Sequence, residues 1–248
     1  MAAHRLLKNA PISEALIDIQ FEPHVSLDIL NLFAEAVKSN FDRQAKIWQQ
    51  SFGVEFVQEG DSKTSSEQVV IGTRFDSDER KHVVQTRVNG FTFSKLAPYT
   101  DWDEINNAAK EMWGEFLQIA KPVIVTRVAV RYINALNIPL PIGDFSEYFT
   151  ASPQVPTSLP QGISAFLQRV VMIDPQTASV AAVTQALEEP QAGIISSAVT
   201  IFLDIDCFQA RQMAPNDDEL WATLGVLRVF KNTIFFEHIT EKTAKLFE

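Results

Sequence analysis

A chain of 248 residues with 46% hydrophobic content and 18 phenylalanines is long enough to bury a substantial core as one large domain. Its formal net charge of −10 argues against binding to phosphate backbones, which calls for a basic footprint. The single Cys207 excludes an internal disulfide and a multi-cysteine metal cluster, and no apolar run approaches the roughly 20 residues that span a bilayer.

Residues 1–8 lack the apolar centre of a signal peptide, so a cytoplasmic protein is expected, with no membrane and no nucleic-acid partner. Glu14–Phe21 then reads as a first strand, with Ala15, Ile17, Ile19 and Phe21 on its core face and Leu16, Asp18 and Gln20 on the other. Ser26 caps a helix whose Leu27, Leu30, Phe33, Val37 and Phe41 recur at helical spacing. Ile47–Val57 is a second strand and Glu59–Glu67 a polar loop. Gln68–Phe75 and His82–Val88 are the next two strands, and Asn89-Gly90 predicts a type I′ hairpin into Phe91–Lys95. Thr100-Asp-Trp-Asp103 predicts a capping box with Thr100 at the cap. The helix it opens runs to about Ala120 and buries Ile105, Ala109, Met112, Trp113 and Phe116.

The rest of the chain is expected to be arranged around Val123–Asn134, a β-branched, apolar run that reads as a central strand. Alternation places Thr126, Val128, Val130 and Tyr132 on one face and Arg127, Ala129, Arg131 and Ile133 on the other. Two arginines on such a strand need partners, because an unpaired buried charge is costly. Beyond the break at Pro139 comes a proline-rich connection, residues 139–160, with a short helix at Phe145–Phe149. Strands follow at Ile163–Ile173, Ala178–Leu187 and Ile194–Phe208, the last two joined by a turn at Glu188–Gly193. Asn216–Glu219 caps a final helix with Leu220, Leu224, Leu227 and Phe230 buried, and the apolar Phe235–Thr240 is expected to dock.

Residues 1–121 and 122–248 read as two half-units of one compact domain. Each is strand, helix, three or four strands, then a capped helix with an early tryptophan, Trp102 or Trp221. The fold class predicted is α+β, internally duplicated, with a mostly antiparallel sheet and the helices on one face. The topology is similar to the TATA-binding-protein-like fold or, less closely, to helix-grip folds. Edge strands left by such a sheet predict a homodimer.

Charge recurs at alternate positions on three strands: Glu14 and Asp18, Arg127 and Arg131, Asp204 and Asp206. If those strands share a face, carboxylates and guanidiniums meet at cross-strand distance. One reading is a groove floor in which Arg127, Arg131, Asp18, Asp204 and Asp206 grip an anionic small molecule beneath the proline-rich loop as a lid. The other is a structural ion-pair ladder. Asp204-Ile-Asp206 lacks a matching ligand signature elsewhere for a metal, and the four histidines have no ligand spacing. Cys207 alternates with Ile201, Leu203 and Ile205 and reads as an inert core thiol. There is no glycine-rich phosphate loop, no G-x-S-x-G, no H-E-x-x-H and no C-x-x-C. No catalytic residue, cofactor or metal is therefore assigned.

Residues 9–21, the Trp102-Asp103 to Trp113 helix, the central Arg127–Asn134 segment and the Phe235–Thr240 ending together resemble a sporadically distributed bacterial family of uncharacterised function. Arg131-Tyr-Ile-Asn134 is the most specific part of the likeness. The resemblance implies a bacterial cytoplasmic protein of accessory-gene distribution and implies no activity. With it, the leading expectation is a non-enzymatic protein-interaction module of a defence or toxin–antitoxin type locus. The alternative is an anionic small-molecule-binding protein or enzyme built on the charged sheet face.

Overall fold

Period-2 alternation of apolar and polar residues dictates strands with one buried face, and nine such strands join into one antiparallel sheet in the order β2-β3-β4-β5-β1-β6-β9-β8-β7. The computed structural model describes residues 1–55, 63–187, 197–216 and 218–248. The elements in chain order are β1 (Ile12–Glu22), α1 (Leu27–Val37), β2 (Arg43–Glu55), β3 (Lys63–Ser77), β4 (His82–Arg87), β5 (Gly90–Leu96), α2 (Trp102–Ala120), β6 (Ile124–Pro139), β7 (Phe166–Asp174), β8 (Ser179–Leu187), β9 (Ala198–Gln209), α3 (Asp218–His238) and α4 (Glu241–Ala244). The α+β class and the antiparallel sheet are as the alternation predicts.

At the centre β1 pairs with β6, with Ile17 opposite Val130 and Asp18 opposite Ala129. Ala15, Ile17, Ile19 and Phe21 are buried, as are Val128, Val130 and Tyr132 beside them. This face carries the helices. Phe21 and Phe91 of the sheet meet Trp113 and Phe116 of α2, and Phe33 of α1 meets Phe75 of β3. On the other half, α3 packs on β6 and β9 through Leu220, Leu224 and Leu227. The opposite sheet face presents Asp18, Arg127, Arg131, Asp204 and Asp206.

Several local expectations are corrected. Asp101, not Thr100, caps α2, its carboxylate accepting from Glu104 N at 2.8 Å. The Asn89-Gly90 hairpin turns one residue earlier: Arg87 pairs with Gly90 around Val88-Asn89, and neither Asn89 nor Gly90 has positive φ. Backbone bonds from Phe21 N to Asn89 O and from Val25 N to Val88 O tie this turn to the end of β1, so tertiary pairing overrides the intrinsic type I′ preference. Residues 63–67, placed in a polar loop by their composition, belong to β3, where cross-strand pairing with β2 supplies what propensity lacks. The short helix at Phe145–Phe149 is a single 3-10 turn, Phe145–Glu147. The turn at Glu188–Gly193 lies outside the described residues. At Gly72 the strands approach so closely that a Cβ would sit 2.0 Å from Thr86 O, so this position of β3 accepts glycine alone.

Candidate functional site

The five predicted site residues do converge on the open sheet face. Arg127 reaches Asp18 and Asp206, both at 3.1 Å, and Arg131 grips Asp204 through two parallel bonds of 2.8 and 2.6 Å. Arg131 stands opposite Asp206 in register yet binds the diagonal Asp204, since a guanidinium is long enough to span that offset. Sequence reasoning missed two members, Arg87 and Thr92. Arg87 bonds Asp18 at 2.6 Å and also donates to the Thr92 hydroxyl, which itself donates to Asp18 at 2.6 Å. Their signal was alternation on β4 and β5, hidden until the pairing of β5 with β1 is known.

The electrostatics are those of a ladder that satisfies itself. Burial raises the Asp206 carboxyl above its ordinary range, outweighing the pull of Arg127 and Arg131. The Arg131 guanidinium is raised in turn by its hydrogen bonds to Asp204. Arg127 lies over the Phe208 ring at 4.3 Å, which adds a cation–π contact to its two ion pairs. The proline-rich connection does not cover this surface. Phe145 stacks edge-on with Phe166, Phe149 bridges to Ile239, and Thr150 N bonds His238 O, all on the helix side, so the lid expectation is overturned. Its apolar side chains take it to the uncovered end of α3. Among the described residues no group of three or more His, Cys, Asp or Glu is placed to hold a metal ion.

Directly behind the ladder, on the helix face, lies a cavity of about 300 Å³ between residues 4–12, the start of α2, β6 and α3. The N-terminal segment forms one wall because its backbone is pinned: Ala2 N bonds Phe236 O, Asn9 N bonds Phe247 O, and Ala135 N bonds Pro11 O. Tyr99, Trp102, Phe235 and Phe236 supply aromatic surface. The Tyr99 and Tyr132 hydroxyls bond each other at 3.1 Å, and burial raises the pKa of both. Tyr132 and Asn134, from the Arg-Tyr-Ile-Asn stretch, line the cavity, while Arg131 on the strand's opposite face belongs to the ladder.

Lys231 of α3 is the unexpected occupant of this wall. It is 6% exposed, and its ammonium lies 3.7 Å from the centre of the Tyr132 ring. Among the described residues it has no hydrogen bond and no carboxylate partner. Cation–π attraction returns about 2 kcal/mol when desolvated. Stripping an ammonium of water costs several kcal/mol, so burial wins. Burial, reinforced by Arg228 one turn away, lowers the Lys231 pKa to about 7. Among the described residues the other deeply placed lysine shows what ordinary accommodation looks like: Lys95 bonds Glu104 at 2.8 Å and the Arg80 carbonyl at 2.9 Å. Among the described residues Arg228 likewise has no carboxylate partner, lying over the Trp102 ring at 5.6 Å. Spacing had the signal for Lys231: Leu220, Leu224, Leu227, Lys231 and Ile234 form one buried stripe. Phe230, expected to be buried, is partly buried against the edge of the core.

Comparison with known proteins leaves this geometry to speak for itself: no protein-family model matches the chain, and no curated protein matches it.

Proposed function

We propose that the protein is a binding protein for a small organic anion with an apolar or aromatic body, held in the cavity against Arg228 and Lys231. The observation that carries this reading is Lys231, a buried lysine without a counter-charge, opening into a cavity. In a chain of net charge −10, the cavity concentrates Arg5, Lys8, Arg228 and Lys231 against a single carboxylate, Asp101. Arg5 is already matched by Glu241 and Glu248 and Lys8 is exposed to solvent, which leaves the pair on α3 for a ligand. The anionic ligand of the sequence-based alternative is kept here, but moved from the ladder to the opposite face. Titration with 3-phenylpropanoate should raise the melting temperature of the wild type and leave Arg228→Met unmoved. A carboxylate that stabilises both proteins equally, or neither, would remove the reading.

Strand order supports an internal duplication, with a TATA-binding-protein-like arrangement of the halves. In each half the last strand returns beside the first, β5 against β1 and β9 against β6, and β1 and β6 meet antiparallel at the seam. The second half has the 3-10 turn where the first has α1.

A second reading, a protein-interaction module that assembles with its own copy, is favoured by β7. This outermost strand is bonded on one side only and exposes Leu167 (75%), Val170, Val171 and Ile173 (71%). Paired antiparallel with itself about Val170, it sets Leu167 opposite Ile173 on both sides of a twofold axis. Sedimentation at micromolar concentration should show a dimer that Val171→Lys dissolves; a wild-type monomer would rule this out.

A further inference from the structure

We propose that Lys231 is a carbonyl-reactive amine that forms a reversible imine with a 2-oxo acid seated in the cavity. This rests on the anion-binding reading above and names the chemical class of its ligand.

An anion alone is served better by arginine, whose fork matches a carboxylate, than by an amine pressed onto an aromatic ring with no acceptor. What the cavity offers instead is two different groups on one helix face. Arg228 and Lys231 are spaced i, i+3, so their Cβ atoms are about 5–6 Å apart. A ligand whose carbonyl adjoins its carboxylate engages both at once, the carboxylate at Arg228 and the carbonyl carbon at Lys231. Around the amine stand Tyr132 of β6, Cys207 of β9 and Arg228 of α3, and among the described residues no carboxylate holds it as an ammonium. Burial in this setting favours the neutral, nucleophilic form.

The step balances without a redox partner. The Nζ lone pair forms a C–N bond to the carbonyl carbon while the C=O π pair passes to oxygen, and a proton moves from nitrogen to that oxygen. The carbinolamine then loses its hydroxyl as water, leaving C=N; amine plus ketone becomes imine plus water. The hydrogen-bonded Tyr99–Tyr132 hydroxyls line the same cavity and can deliver and recover the proton that the departing hydroxyl needs.

The test uses the full chain with pyruvate and phenylpyruvate in the presence of cyanoborohydride, read by intact mass and peptide mapping. The expected result is an adduct on Lys231 formed at least about tenfold faster at pH 7 than on any exposed lysine, because an ordinary lysine is almost wholly protonated there. 3-Phenylpropanoate, which lacks the ketone, should block it. Lys231→Arg, whose unfolding midpoint checks that it folds, should lose the adduct while keeping the positive charge. Binding of 3-phenylpropanoate without an adduct from either oxo acid overturns the imine and leaves the anion site standing. Loss of both overturns the two together, and an adduct undiminished in Lys231→Arg shows the labelling to be elsewhere and also overturns it.

Discussion

Replacing Asp18 by alanine is expected to destabilise the protein by about 2–4 kcal/mol, measured by urea unfolding. Asp18 is 9% exposed and accepts from Arg87, Arg127 and Thr92 at once. Its removal takes the carboxylate from Arg87 and one of two carboxylates from Arg127, and leaves the Thr92 hydroxyl without its acceptor. The figure stays below the full penalty for a lone buried charge because both arginine side chains keep about a fifth of their surface in water. Arg131→Met should cost about 1 kcal/mol or less, because that pair is far more exposed and involves one carboxylate only. A loss below about 1 kcal/mol for Asp18→Ala would mean that the open face is solvated enough to dispense with its ladder.

The opposite sign is expected on the other side of the sheet. Lys231→Met should stabilise the fold at pH 7 by about 2–4 kcal/mol, because an unpaired buried amine is exchanged for an apolar side chain of similar length. Folding lowers the Lys231 pKa from 10.5 to about 7. Below about 7 the native and unfolded states both hold the proton, and the burial penalty is present in full. Between about 7 and 10.5 the unfolded chain binds a proton that the native state does not, so wild-type stability rises with pH. The gap between wild type and Lys231→Met should therefore narrow steadily from pH 7 to pH 10. Unfolding midpoints in parallel pH series measure it, and a gap that widens or stays constant would show Lys231 to be charged and satisfied.

These two residues also mark how much of the molecule was legible beforehand. Asp18 and the arginines could be placed on one sheet face because strand alternation is local information, and the Ser26 cap and the break at Pro139 were equally plain. Arg87 could not, because it enters the ladder only through the β5–β1 pairing, which joins residues far apart in the chain. Lys231 sits on a period the sequence did show, but a lysine on an apolar stripe is readily set aside in favour of the phenylalanine beside it. The cavity itself was out of reach, since its wall is an irregular N-terminal segment placed by backbone bonds to the far end of the chain. The proline-rich connection was misjudged for the same reason. Composition gave its irregularity but not the side of the sheet on which it lies.

The central seam has a consequence for how the molecule comes into being. Ser13 bonds to Ile133 across 120 residues of chain, and the pairing of β1 with β6 extends out to Asn134. Such a join carries a large loop-closure cost and favours slow folding. During synthesis β1, the strand that will occupy the middle of the sheet, precedes the other strands and waits, unpaired with β6, until residues 124–139 have been made. Ala15, Ile17, Ile19 and Phe21 are then as sticky as they will ever be, and translation arrested before β6 would leave a product with an open apolar edge. The same pairing that makes the finished sheet continuous makes the half-made chain a natural client for chaperones.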